Sequence, residues 1–202
     1  MKKYEKKMTL MCGRFMFQPQ AQAELRRIYE LATRQGFTVQ TGLVRPNDSC
    51  AVVWQEAQQI KVGAMKWGLL SGPKDQLVIN ARSETVAQKP LFAAAFARRR
   101  LVYPTSGFFE FNSQHEAVWF NYQTQPTALY IAGIYETFAG ERRSSLLTTQ
   151  PNVSVAAVHN RMPLILRKDQ IIKWLQDQNW ARNFLQASMP TLTAVPAKPT
   201  LW

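Results

Sequence analysis

The sequence predicts an α+β fold: a single domain in which a curved, barrel-like and mainly antiparallel sheet carries a few peripheral helices. Three observations predict it. Many short β-like runs are separated by turn residues, and helical periodicity is confined to a few segments near the start, middle and end. No repeat or linker divides the 202 residues into two cores.

Pro19 to Gly36 reads as an amphipathic helix, with Pro19 at a tolerated first-turn position and Gly36 as the C-terminal stop. Leu25, Ile28, Leu31 and Ala32 recur at helical spacing and form its core face. The turn-rich Arg45-Pro46-Asn47-Asp48-Ser49 leads into a strand from Cys50 to Trp54, where Cys50 serves as a small buried hydrophobe. Gln59 to Trp67 alternates Ile60, Val62 and Ala64 against polar residues and predicts the next strand, broken at Gly68. A strand from Leu77 to Arg82 runs into a loop carrying Asn80, Arg82 and Glu84. Pro90 to Arg100 predicts a short Ala-rich helix whose three closing arginines either favour its C-terminal dipole or form a solvated basic end. Strands follow at Leu101 to Tyr103, Gly107 to Asn112, Ala117 to Tyr122 and Ala128 to Glu136, most simply as a meander. Ser145 to Thr149 and Val153 to Val158 continue the β character up to His159. Helices over Lys168 to Gln178 and Asn179 to Ala187 precede a proline-punctuated tail ending at Trp202.

With 46% hydrophobic and 19% charged residues, the composition falls in the globular range and excludes a disordered chain. Lysine and arginine total 25 against 13 acids, a net charge of +12, so a polyanion such as nucleic acid is the expected partner class. Two cysteines are too few for a disulfide framework or a cysteine-rich zinc site, which points to a reducing, cytoplasmic setting. The opening MKKYEKKMTL lacks the apolar run of a secretory signal, and no stretch approaches the ~18 to 20 apolar residues of a membrane span. Its four lysines and one glutamate offer nothing to bury.

Polar residues in apolar surroundings mark the candidate chemistry. Cys12 directly follows Met11, so it could become the first residue of a mature chain. It would then carry an amine of pKa about 7.7 to 8.0 and a thiol of about 8.5 on one carbon. An aldehyde meeting both forms an imine and is then closed by sulfur into a five-membered ring. Glu110 lies in the aromatic run Phe108-Phe109-Glu110-Phe111, where burial would raise its pKa and suit it to proton transfer; the alternative is a strand glutamate facing water. His159 ends an apolar run before Asn160-Arg161-Met162-Pro163 and is either a proton shuttle or a structural histidine. His115 sits in a polar turn and receives no role. Scattered histidines and cysteines match no metal-ligand spacing, and the chain has neither a Gly-rich phosphate loop nor a Gly-x-Ser-x-Gly elbow.

Five fragments in order, Cys12-Gly13-Arg14-Phe15, Lys66-Trp67-Gly68-Leu69, Asn80-Ala81-Arg82-Ser83-Glu84-Thr85, Gly107-Phe108-Phe109-Glu110 and His159-Asn160-Arg161-Met162-Pro163, closely resemble the SOS response-associated peptidase family of abasic-site processing proteins. The resemblance spans Cys12 to about Leu166. It implies a β-barrel-like family fold, binding to single-stranded DNA, and a covalent thiazolidine between the N-terminal cysteine and a ring-opened abasic sugar. Carried over, it makes Cys12 the nucleophile, Asn80 a hydrogen-bonding holder of the cysteine or sugar oxygen, Glu110 the proton carrier at the amine, and His159 the group that helps open the sugar ring. Arg14, Arg82 and Arg161 correspond to phosphate contacts, a task suited to the guanidinium fork. Trp67 and Pro46 correspond to an apolar surface on which flanking DNA stacks or kinks, although Trp67 reads equally well as core. The chain departs from the family pattern at Phe111, where a tryptophan is common, and at Asn160, where an aspartate is; neither residue carries the implied chemistry.

We therefore expect residues 1–11 to be an extension or leader that is removed, and residues 12–202 to form the domain. No cofactor or metal is expected. The partner is single-stranded DNA containing abasic sites, the protein a cytoplasmic monomer, nucleoid-associated if bacterial. A retained extension would block the amine and leave only a reversible hemithioacetal. Two other readings stay open: a cysteine peptidase acting mainly on its own leader, with His159 or Glu110 as base, and a non-covalent single-strand binder indifferent to missing bases.

Overall fold

In the computed structural model, which describes residues 12–73, 75–122 and 127–197, the chain opens with β1 (Arg14–Phe17), α1 (Ala23–Arg34), β2 (Gly42–Val44), β3 (Ser49–Glu56) and β4 (Gln59–Trp67). Short strands β5 (Leu69–Ser71), β6 (Gln76–Val78) and β7 (Asn80–Arg82) follow. Next come α2 (Pro90–Arg98), β8 (Arg100–Thr105), β9 (Gly107–Phe111), β10 (Ala117–Asn121), β11 (Leu129–Phe138) and β12 (Glu141–Thr149). The final elements are α3 (Val153–Ala156), β13 (Met162–Pro163), β14 (Ile165–Leu166), α4 (Ile171–Gln176), α5 (Gln178–Phe184) and β15 (Thr193–Pro196). The expectation about residues 1–11 falls outside the described residues.

Five strands close on themselves. β4 pairs with β3, β3 with β8, β8 with β11 and β11 with β12, all antiparallel, and β12 returns to β4 in parallel. Closure removes the exposed edges that an open sheet would present. The predicted barrel-like α+β domain is thus present, with a mixed rather than purely antiparallel sheet. β7 also joins β12 in parallel, Leu146 opposite Asn80 and Thr148 opposite Arg82. A second sheet, in the order β15-β10-β9-β1-β2, is antiparallel throughout.

The chain leaves the barrel for the second sheet between Thr105 and Gly107. Thr105 Oγ1 donates to the Met16 carbonyl at 2.8 Å and accepts the Gly107 N–H at 2.9 Å, while the Ser106 N–H also donates to Met16 at 2.8 Å. Gly107 adopts φ 155°, and a Cβ there would lie 2.4 Å from the Phe120 carbonyl oxygen, so only glycine fits the corner. This corner lays β9 along β1, with Arg14 opposite Phe109. Phe15 on β1 then packs against Trp67 and Tyr103, at ring-centroid distances of 5.2 and 6.0 Å, and joins the second sheet to the barrel.

Several expectations need correction. The strands from Leu101 to Glu136 do not form a meander, because β8 and β11 belong to the barrel while β9 and β10 belong to the second sheet. Val153 to Ala156 is helical: Asn152 accepts the Ser154 N–H at 3.0 Å, and that cap outweighs the β preference of two valines. Leu77 to Arg82 divides into β6 and β7, and Pro19 lies ahead of α1 rather than in its first turn. In β4 the fully buried positions are Gly63, Met65 and Trp67, one residue out of phase with Ile60, Val62 and Ala64. Cys50 is buried, as expected. Arg100 is no solvated end: its buried guanidinium donates to the carbonyls of Phe96, Ala97, Trp174 and Leu175, so one side chain satisfies the closing turns of α2 and α4. Among the described residues, no helix is long and apolar enough to cross a membrane.

Candidate active site

Cys12 lies just ahead of β1, at positive φ of 38° and fully buried. Its backbone N–H donates to both carboxyl oxygens of Glu110, at 2.9 and 3.1 Å. The pairing of β1 with β9 produces this contact between residues 98 positions apart. Glu110 is only 1% exposed, and burial pushes its carboxyl up to about 8 despite the opposing Cys12 N–H. The reading of Glu110 as a water-facing strand residue is therefore excluded. Burial, reinforced by the Glu110 charge, also holds the Cys12 thiol well above its ordinary pKa.

His159 stands beside the same carboxyl, with Nδ1 3.9 Å from Glu110 Oε2. Nδ1 lies 3.2 Å from the Arg161 nitrogen and 3.3 Å from the Arg161 carbonyl oxygen, so the Arg161 backbone holds the ring in either tautomer, donating to a bare Nδ1 or accepting from a protonated one. Burial lowers the His159 pKa, the Arg161 charge lowers it further, and the backbone bond to Arg161 opposes them. At neutral pH the carboxyl is thus mostly protonated and the imidazole uncharged. One neutral group that can exchange a proton touches the Cys12 nitrogen, and a second stands beside the first.

Arg161 itself is buried. Its guanidinium grips Glu84 in a two-pronged ion pair at 2.5 and 2.8 Å and donates to the Thr148 carbonyl at 2.7 Å. In return, the bond to Arg161 holds the Glu84 carboxyl below its usual range. A phosphate contact through Arg161 is not available in this arrangement, because the fork is already committed to a carboxylate. Arg82 is exposed at the end of β7, and Arg14 lies half-buried with its guanidinium 5.1 Å from the centre of the Phe111 ring. Asn80 opens β7, half-buried, two residues ahead of Arg82 and on the segment that carries Glu84.

Trp67 offers no stacking surface. It is 0% exposed, packs on Phe15, and donates its indole N–H to the Ile79 carbonyl at 2.9 Å. Of the two readings of this residue, the core one holds. Its backbone nevertheless supports the turn that carries Pro46: the Asn47 N–H donates to the Trp67 carbonyl at 2.7 Å and the Trp67 N–H to Asp48 at 3.0 Å. Arg143 braces the same turn, donating to Asn47 Oδ1 at 2.6 Å and to the Gly68 carbonyl at 2.7 Å. Pro46 is half-buried on that turn, beside exposed Arg45.

The structure therefore gathers Cys12 and His159 about the Glu110 carboxyl and removes Trp67 and Arg161 from the surface. Sequence reasoning assigned no task to Glu84 or Arg143. The only signal for Glu84 was its place in a polar fragment between apolar strands; for Arg143 there was none. Among the described residues, no three His, Cys, Asp or Glu side chains gather as a metal site requires.

The family model described as SOS response associated peptidase (SRAP) matches residues 11–199. The abasic site processing protein YoaM of Bacillus subtilis is 27% identical over 157 residues, covering 71% of this chain and 69% of that protein. YedK of Escherichia coli, of the same description, is 22% identical over 142 residues, covering 67% of this chain and 64% of that protein. A Bacteroides thetaiotaomicron protein of known crystal structure superposes with a TM-score of 0.76 at 18% identity, covering 93% of both chains. A phage-related protein from Bordetella bronchiseptica superposes with a TM-score of 0.72 at 16% identity, covering 93% of this chain and 94% of that one. These two establish the likeness of fold.

Proposed function

Since the chain belongs to the SOS response associated peptidase family, and its relatives are named abasic site processing proteins, we propose that it traps abasic sites in single-stranded DNA as a covalent thiazolidine on Cys12. The observation that carries this reading is the placement of the Cys12 nitrogen on the buried Glu110 carboxyl, with His159 3.9 Å from one of its oxygens.

Once residues 1–11 are removed, that nitrogen is a free amine. His159 assists opening of the abasic sugar by moving its hydroxyl proton, which exposes the aldehyde. The amine lone pair attacks the aldehyde carbon, and Glu110 transfers protons between nitrogen and the departing hydroxyl, so that one water leaves and a C=N bond forms. The Cys12 sulfur then adds to that carbon, its proton passes to nitrogen, and the ring closes without any change of oxidation state. The thiol's raised pKa explains the order: a protonated sulfur is a poor first nucleophile, so the amine leads. Asn80 holds the sugar oxygen, Arg14 and Arg82 meet phosphates, and Pro46 on its braced turn meets a flanking base.

The test is a chain beginning at Cys12 incubated with a single-stranded oligonucleotide carrying one abasic site. A heat-stable adduct on a denaturing gel, absent with Cys12→Ala and with an intact-base strand, supports the proposal. Equal retention of both strands, reversed by salt alone, overturns it in favour of non-covalent binding.

One observation favours a second reading. Glu110 contacts the nitrogen of the Met11–Cys12 peptide bond, the atom that must be protonated for that bond to break, so removal of the leader by the protein itself uses the same site. Leader release from wild type but from neither Cys12→Ala nor Glu110→Gln supports it; release from all three shows that another enzyme trims the chain.

A further inference from the structure

We infer that Glu84 is a positioning residue that acts on His159 through Arg161, and the inference rests on the proposed function only where it concerns rate. His159 leaves the core at the end of the α3 turn, its own N–H bonded to the Val155 carbonyl at 3.0 Å. That bond places the backbone but leaves the imidazole free to rotate. What sets the ring is the Arg161 backbone, whose nitrogen and carbonyl oxygen lie 3.2 and 3.3 Å from Nδ1.

Arg161 can present those two backbone groups only if its own backbone is held, and its side chain does the holding. The guanidinium reaches across to Thr148 on β12 and to Glu84 beyond β7, with three bonds of 2.5 to 2.8 Å. β7 lies parallel to β12, so Thr148 on β12 and the loop that carries Glu84 out of β7 stand side by side. The loop bearing Glu84 is itself fixed, since Ser83 N–H donates to the Thr148 carbonyl at 2.8 Å and Val86 N–H to Arg82 at 2.9 Å. The run from rigid sheet to imidazole is therefore continuous: β12 and β7, Glu84, Arg161, His159. A lysine at 161 could not reproduce the planar two-pronged grip.

The arrangement also sets the field at the ring. The titratable groups around His159 are Arg161 on its own loop, the mostly protonated Glu110 from β9 at 3.9 Å, and Glu84, which balances Arg161 and is itself faced by Arg82. With Glu84 neutralised, the Arg161 charge acts on His159 uncompensated, disfavours imidazolium and lowers the histidine's titration midpoint. The side chain of Glu84 is 41% exposed, so its amide or shortened replacements leave the core intact.

The test uses two readouts on wild type, Glu84→Gln and Glu84→Asp. Proton NMR follows the two imidazoles against pH; with only His115 and His159 in the chain, assignment by a His115→Gln control is direct. Glu84→Gln is expected to lower the His159 midpoint while His115 stays in place, and Glu84→Asp to keep the wild-type value. In the crosslinking assay with chains beginning at Cys12, Glu84→Gln is expected to slow adduct formation by about tenfold, the scale on which loss of an orienting partner acts at ligated histidines, with Glu84→Asp recovering most of the rate. A His159 midpoint that does not move in Glu84→Gln overturns the inference, whatever the rate does. Absence of adduct from wild type would instead overturn the proposed function and leave the NMR result to decide this one.

Discussion

Both carboxyl oxygens of Glu110 accept the single backbone N–H of Cys12, at 2.9 and 3.1 Å. A carboxyl this deeply buried is an expensive group to ionise, and the Cys12 N–H offsets only part of the cost. Its place inside an aromatic strand costs stability, which the role proposed for it at the cysteine nitrogen explains.

That cost makes stability depend on pH. The carboxyl keeps its proton in the folded chain up to about pH 8, whereas its ordinary pKa is 4.5, so deprotonation favours the unfolded chain. The contribution is fully present below about pH 4.5 and is lost as pH rises towards 8. Urea unfolding of wild type and Glu110→Gln at a series of pH values is expected to show wild type losing stability relative to the variant across that window, by a few kcal/mol in all. A constant difference would mean that Glu110 is ionised throughout.

Trp67 is a core residue, and its truncation is a stability experiment. Trp67→Ala removes a fully buried indole and its bond to Ile79, and a loss of about 3 to 5 kcal/mol is expected from denaturant unfolding. Trp67→Phe is expected to fold and to retain DNA binding, since only the core sees the change.

Arg100 holds two helix ends at once. Arg100→Met leaves four carbonyls without their donor and is expected to cost about 3 kcal/mol, and Arg100→Lys to recover little, because an ammonium cannot span the same four oxygens. Chemical denaturation reads both.

Arg82 is exposed at the end of β7, and the phosphate contact proposed for it acts by releasing counterions. Arg82→Ala is expected to weaken single-strand binding similarly for all sequences and to reduce the slope of log affinity against log salt by about 0.7. Arg161→Ala is expected to act differently, through the rate of adduct formation more than through the salt slope, because its guanidinium is engaged by Glu84.

How far the fold could be read from sequence depended on how local each determinant was. The strands of β3, β4, β9, β10 and β11 announce themselves by alternation or apolar runs. Closure of the barrel does not, because the parallel return of β12 to β4, Ser144 opposite Trp67, joins residues with no shared pattern. Val153 to Ala156 misleads because one capping bond from Asn152 outweighs β-branched propensity. The site divides in the same way. Cys12, Glu110 and His159 are legible as chemically unusual residues in short motifs, whereas the task of Arg161 is not, being set by Glu84, 77 positions earlier. Trp67 is ambiguous in sequence because an indole serves a core and a stacking surface equally well, and only the Ile79 carbonyl decides between them.

The measurement that bears most directly on the mechanism compares two chains, one beginning at Cys12 and one retaining residues 1–11, each incubated with abasic single-stranded DNA and analysed by intact mass and peptide mapping. The account predicts that only the first forms a stable adduct, that its mass is one water less than the sum of protein and DNA, and that the modified residue is Cys12. An adduct of equal yield on the extended chain, or one mapped to an internal lysine, would contradict it.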